Sequence, residues 1–220
     1  MDFAFIQKVI PMYADAMVLT LKLAAAGILL SFATGAVCAL IKYFKVPVIS
    51  QIVSVYIELS RNTPLLIQLF FLYFALPRMG VMLSSVQCAV IGITFLGGSY
   101  MEETLRAAIE SVSRIQIESA QCIALTRRQI TQYVIFPQAV SVAVPGICAN
   151  IMFLIKETSV FSAVALADLM YVAKDLIGLY YKTEESLLLL CISYFILLLP
   201  VSLLASFAER RLRYAQFGNS

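Results

Sequence analysis

The 220-residue chain has no histidine and no tryptophan, and its charged residues amount to only 13% of the sequence, about half the usual share in soluble domains. The absence of histidine removes the commonest general base and metal ligand. Cysteine is present five times, at Cys38, Cys88, Cys122, Cys148 and Cys191, but never as Cys-x-x-Cys. Most of these lie in apolar stretches and read as small core residues rather than metal or redox ligands. No Gly-x-x-x-x-Gly-Lys-Ser/Thr sequence occurs, so the chain has no means of hydrolysing ATP alone. No nucleophile stands beside a base, which argues against a membrane-embedded enzyme. A net charge of +3 gives no basic footprint for nucleic acid.

What is abundant is apolar surface. Hydrophobic residues make up 61% of the chain and the mean hydropathy is +0.91, values of an all-α integral membrane protein. Five spans are expected, at 18–41, 64–83, 86–108, 140–160 and 187–207. The third and fourth are the least apolar, carrying Glu102-Glu103 and Lys156-Glu157. Ionisable groups facing lipid cost several kcal/mol, so these two helices are expected to face protein or water. Residues 1–17, without a basic region or a small-residue cleavage site, read as a short external amphipathic helix rather than a removable leader. Residues 18–208 form the membrane domain, 42–63 an elbow, 161–185 one or two external helices near the interface, and 209–220 a cytoplasmic tail.

Lysine and arginine bias sets orientation. Lys42, Lys45 and Arg61 fall between spans one and two; Arg106, Arg114, Arg127 and Arg128 between three and four; Arg210, Arg211 and Arg213 after five. All three regions then share the cytoplasmic side, with the amino terminus outside and the carboxyl terminus inside. This puts the polar run 110–138, ESVSRIQIESAQCIALTRRQITQYVIFPQ, in the cytoplasm. Its mixture of charged and aliphatic residues suits amphipathic helices offered to a soluble partner, with Pro137 as terminator.

Within that run, Glu118-Ser119-Ala120, Ala124 and Phe136-Pro137-Gln138-Ala139 resemble the Glu-Ala-Ala…Gly…Leu-Pro-Gln-Ala loop of permease subunits in ATP-binding-cassette importers. Three further segments resemble the polar amino-acid branch of that family, which takes in cystine, glutamine and histidine permeases. They are Arg61-Asn62-Thr63-Pro64-Leu65-Leu66-Ile67-Gln68-Leu69, Tyr100…Glu103-Thr104…Arg106…Ile109 and Lys156-Glu157-Thr158-Ser159. The resemblance runs from the first span to the carboxyl end and implies the five-helix type I importer fold. It also implies a bacterial inner-membrane location, a second permease subunit as homodimer partner, a cytoplasmic ATPase dimer that carries the ATP and Mg, and an external solute-binding protein. No cofactor is expected in this chain itself.

The same resemblance assigns coupling to the ATPase to Glu118, Ser119, Ala120, Ala124, Arg127, Arg128 and Pro137, with Ile123, Leu125 and Tyr133 as apolar anchors. A salt bridge from Glu118 to Arg114 is the competing reading. Ala124 stands where the family has glycine, and alanine is expected to keep the bend only with negative φ. Asn62, also at a glycine position, is the residue best able to replace it in a left-handed turn. Candidates for the transport path are Gln68, Tyr73, Thr94, Ser99, Tyr100, Glu103, Asn150, Lys156 and Glu157, of which Asn150 and Glu103 have least other reason to sit within a span. Ser99 and Thr94 equally suit bonds between helices, Tyr73 a belt aromatic, and Lys156-Glu157 a neighbouring ion pair. With Glu103 paired to Arg106 no free acid would remain for a cation, so cystine, glutamine or another amino acid without net positive charge is the expected substrate. The alternative is an ATP-independent secondary transporter or channel subunit. An inert anchor for the ATPase fits poorly with Glu103, Asn150 and Lys156.

Overall fold

Asp2 starts the first helix: its carboxylate accepts from the Phe5 amide at 3.0 Å, and α1 then runs unbroken from Phe3 to Tyr43. The computed structural model describes residues 1–217, with side chains as far as Arg211, so part of the expected tail 209–220, including the Arg213 side chain, lies outside the described residues. At 1.5 Å per residue α1 is roughly 60 Å long, twice the ~30 Å hydrocarbon core. The helix expected over 1–17 is thus the first third of a longer one, because nothing between Ala14 and Val18 stops it. That third buries Phe5, Val9, Tyr13 and Ala16 against Leu169, Ala173, Leu189 and Leu190.

The chain continues through α2 (Ile49–Arg61), α3 (Leu65–Phe70, extended by a π turn, Phe71–Ala75, and a 3-10 turn, Leu76–Met79), and α4 (Ser85–Glu110). It goes on through α5 (Arg114–Cys122), α6 (Arg127–Ile130, followed by a π turn, Thr131–Ile135), α7 (Phe136–Glu157), a 3-10 segment (Thr158–Val164), α8 (Leu169–Tyr180) and α9 (Thr183–Phe217). No strand occurs among the described residues. The elbow expected over 42–63 is mostly the ordered helix α2.

The span expected over 64–83 is also different. The helical stretch Leu65–Met79 meets α2 at 103°, so the pair forms one broken element. Three described stretches, Phe3–Tyr43, Arg127–Val164 and Thr183–Arg211, are long and apolar enough to cross a membrane, or four with the broken pair. Helix α4, at roughly 39 Å, has the length but carries Glu102, Glu103 and Arg106 in its second half. It can do so because it is enclosed by α1, α2, α3 and α7.

Close approach fixes α4 against α1. A Cβ on Gly35 would run into the Met101 side chain and stand 2.8 Å from the Glu102 amide nitrogen, so only glycine allows this spacing. Four residues earlier, Ser31 Oγ donates to Ile93 O at 3.1 Å. Leu23, Leu65, Leu69, Ile93, Leu96, Met101, Leu154 and Phe161 fill the centre. At the other end Asp168 caps α8, accepting from the Tyr171 amide at 2.9 Å, and Tyr171, Tyr180 and Tyr181 are exposed as expected of interfacial aromatics.

Candidate functional site

The break between α2 and α3 is built from backbone chemistry. Pro64 cannot donate an amide hydrogen bond, and it precedes Leu65 with φ −58° and ψ 142°, ending one helix and opening the next. Asn62 does not enter the left-handed region expected of it; at φ −91° and ψ 2° it closes α2, and its Nδ2 donates to Glu58 O at 2.8 Å. Gln68 Nε2 donates to both Ser60 O (3.1 Å) and Thr63 O (2.9 Å), tying the second helix to the end of the first. Tyr56 Oη and Ser60 Oγ both donate to Phe95 O, at 2.7 and 2.9 Å, and Ser60 and Ser99 share a hydroxyl bond of 3.0 Å. The break is thereby fastened to the middle of α4.

This fastening carries Arg61 across α4. Its guanidinium is ion-paired with Glu103 and lies over the Tyr100 ring, 5.1 Å from the centroid. Arg61, Leu66, Tyr100, Phe153 and Glu157 line a cavity of about 340 Å³ together with Thr63, Pro64, Leu96 and Val160. A guanidinium offers a fork of donors to a carboxylate, a free carboxylate attracts an ammonium, and two aromatic rings supply an apolar wall. The cavity has all three.

Sequence reasoning named Tyr100, Glu103 and Glu157 but treated Arg61 as a loop charge and passed over Phe153. The pairing expected between Glu103 and Arg106 is not formed. Arg106 instead bonds Glu102 at 3.0 Å and Glu110 at 2.9 Å, its i−4 and i+4 neighbours, and Glu102 is almost wholly buried. Lys156 and Glu157 do not form an ion pair either: one residue apart on a helix they point about 100° away from each other, Lys156 to the surface and Glu157 into the cavity. Asn150 bridges α7 to α4, its Nδ2 donating to Tyr100 O (3.1 Å) and Thr104 Oγ1 (2.9 Å). Gln68 Nε2 and Ser99 Oγ are likewise given to helix contacts, while Gln68 Oε1 is buried without a partner. Tyr73 packs edge-on to Phe74 at 4.9 Å, away from the cavity, and Thr94 Oγ1 is buried without a partner.

The polar run folds as two short helices, α5 and α6. Ala124 joins them with φ +59°, the conformation glycine would adopt, against the expectation of negative φ. Two bonds hold it there: Ala124 N donates to Gln121 O at 2.9 Å and Leu125 N to Ala120 O at 3.1 Å, the paired closure of a Schellman end. Thr126 and Gln129 then cap α6 reciprocally. Glu118, Ser119, Ile123, Arg128 and Tyr133 are exposed, Ala120 is buried and Leu125 half-buried. No ion pair joins Glu118 to Arg114 among the described residues. Arg127 and Tyr43, the latter at the end of α1, line one cavity. Pro137 does not terminate the helix; the π turn Thr131–Ile135 has already opened the hydrogen-bond ladder, and the chain passes through Pro137 into α7.

Residues 27–214 match the family described as binding-protein-dependent transport system inner membrane component. The probable glutamine ABC transporter permease protein GlnP of Bacillus subtilis (strain 168) is 34% identical over 180 residues, 81% of this chain and 83% of that protein. The L-cystine transport system permease protein TcyB of the same organism is 34% identical over 192 residues, 84% and 81% of the two chains. A solved amino acid ABC transporter with histidines superposes with a TM-score of 0.90 at 30% identity, covering 96% of this chain and 99% of that one. With that fold, and with a matched region covering most of its length, the chain belongs to the binding-protein-dependent transport system inner membrane component family.

Proposed function

We propose that the chain is the membrane-spanning subunit of an ATP-driven importer for a polar amino acid, and that the cavity at the α2–α3 break contacts the passing solute. The observation that carries this is the meeting of Arg61, Tyr100 and Glu157 around one cavity, with Arg61 ion-paired to Glu103. Arg61 receives the solute carboxylate, Glu157 its ammonium group, and Tyr100 with Phe153 its side chain. Relatives named for glutamine and cystine support that substrate class.

A second reading has its own observation. Glu157 faces the cavity with no basic partner within ion-pair distance among the described residues, while Glu103 is neutralised by Arg61. The cavity therefore has one uncompensated negative charge, and the argument against a cationic amino acid loses its premise.

Residues 110–138 are the coupling loop, with Glu118, Ser119, Ala120, Ala124, Arg127, Arg128 and Pro137 facing or shaping the contact with an ATPase dimer that holds ATP and Mg. A second copy of the chain completes the path, and a solute-binding protein delivers from outside. The amino terminus is external and the carboxyl terminus cytoplasmic in this arrangement. Proteoliposomes holding the chain with its ATPase and binding protein test it. Uptake of labelled glutamine or cystine that requires ATP on the ATPase side supports the proposal; uptake down a gradient without ATP gives the secondary-transporter alternative.

A further inference from the structure

Two cavities meet between α1 and α7. One, of about 440 Å³, opens where the end of α1 meets the coupling loop and is lined by Tyr43, Gln121, Arg127 and Thr131 among apolar residues. The other, of about 460 Å³, continues between the membrane-spanning parts of α1 and α7 and is lined by apolar and small side chains such as Phe32, Ala36, Val144 and Ile147. Leu40, Ile109, Phe136 and Ala139 line both, so the two form one cleft with a polar mouth and an apolar body.

We propose that this cleft holds an anionic phospholipid, its phosphate at Arg127 and an acyl chain along α7. The mouth is positively charged. Arg127 has no carboxylate within ion-pair distance among the described residues, Lys42 and Lys45 flank Tyr43, and Arg128 follows. Of the acids at this level, Glu110 on α4 is already held by Arg106 at 2.9 Å, and Glu118, exposed on α5, is outnumbered by Lys42, Lys45, Arg127 and Arg128. A guanidinium beside a phenol and an amide matches a phosphodiester, and basic pockets between helices at a membrane face are suited to anionic headgroups. The body lies within stretches apolar enough to span the bilayer, where a lipid chain reaches without desolvating anything polar. A second copy of this chain is the poorer occupant, since at the same level its cations Lys42, Lys45, Arg114, Arg127 and Arg128 outnumber its acids Glu110 and Glu118 and would repel the mouth. Arg127 thereby serves the join between α1 and the coupling loop through a lipid, and the inference holds whichever solute is carried.

Native mass spectrometry of the assembled transporter, incubated with phosphatidylglycerol or phosphatidylcholine, tests this. Each copy of the chain is expected to retain one phosphatidylglycerol under detergent conditions that strip phosphatidylcholine. Arg127→Gln should weaken that retention about fivefold, the value of one basic side chain at an anionic lipid, and Arg127→Lys should restore most of it. Ala36→Phe, which fills the apolar body, should displace the lipid, while Arg78→Gln, outside both cavities, should not. Equal retention of the two lipids, indifference to Arg127→Gln, or displacement by inorganic phosphate alone would overturn the proposal. Loss of the two-copy assembly in Ala36→Phe with the lipid count unchanged would assign the cleft to a second copy.

Discussion

Arg61 on α2 and Glu103 on α4 form an ion pair, although 41 residues lie between them and the chain bends by 103° just after Arg61. Both side chains are about two-fifths exposed, so the pair orients the guanidinium more than it stabilises the fold. A cycle of Arg61→Gln, Glu103→Gln and the double variant, followed by thermal unfolding in detergent, should give a coupling energy of about 1 kcal/mol. Strict additivity would mean that the pair is not formed.

On the second reading of the cavity, Glu157, which has no basic group within ion-pair distance among the described residues, is expected to favour a cationic side chain. Glu157→Gln should reduce competition by lysine or arginine relative to glutamine by on the order of tenfold, or ~1.4 kcal/mol. Competition assays in proteoliposomes measure the ratio, and a ratio that does not move would remove Glu157 from the path.

The left-handed backbone of Ala124 costs about 1 kcal/mol that glycine would not incur. Ala124→Gly should therefore stabilise the junction of α5 and α6, and Ala124→Val should weaken it further. Hydrogen exchange at the Leu125 amide, whose bond to Ala120 O closes the turn, reports the difference. Faster exchange in Ala124→Gly than in the native chain would contradict this.

Asp168 is fully buried, with one oxygen capping α8 and Oδ2 without a partner. Burial pushes its carboxyl from 3.8 up to about 6, against the opposing pull of the backbone bond from Tyr171 and of Lys174. The folded state thus holds this proton more tightly than the unfolded chain. Its stabilising effect is complete below about 3.8 and is lost as pH rises through 6, a difference of at most roughly 3 kcal/mol. Asp168→Asn keeps the cap and removes the titration. Melting temperatures between pH 4.5 and 7 should fall more steeply for the native chain than for the variant, and parallel curves would exclude the effect.

What could be read from the sequence follows from range. The apolar runs within α1, α7 and α9 are continuous patterns legible in one dimension, and so is a pair of amphipathic helices meeting at Ala124, but the fusion of residues 3–17 to the first span and the exact ends of α5 and α6 are not. The broken element was not, because 64–83 is apolar enough to span and the bend comes from Gln68 reaching back to Ser60 and Thr63. Nor was the partner of Glu103. Arg106 is three residues away on the same helix, yet it is taken by Glu102 and Glu110, and the cation that does reach Glu103 is delivered by tertiary packing. Asn150 stands out in the sequence for its polarity within a span, but that its Nδ2 is given to Tyr100 and Thr104 on α4 is a tertiary fact that the sequence does not show. Ala124 shows the reverse: the two bonds around it outweigh the intrinsic preference of alanine.

The most direct test is amino-acid-stimulated ATP hydrolysis by the assembled transporter with its binding protein, native against Arg61→Gln and Glu118→Lys. In the native complex at least one polar amino acid should raise turnover. Arg61→Gln should keep basal hydrolysis and lose the stimulation, while Glu118→Lys should lose the stimulation by separating or uncoupling the ATPase. Full stimulation in Arg61→Gln, or no stimulation of the native complex by any amino acid, would contradict the account.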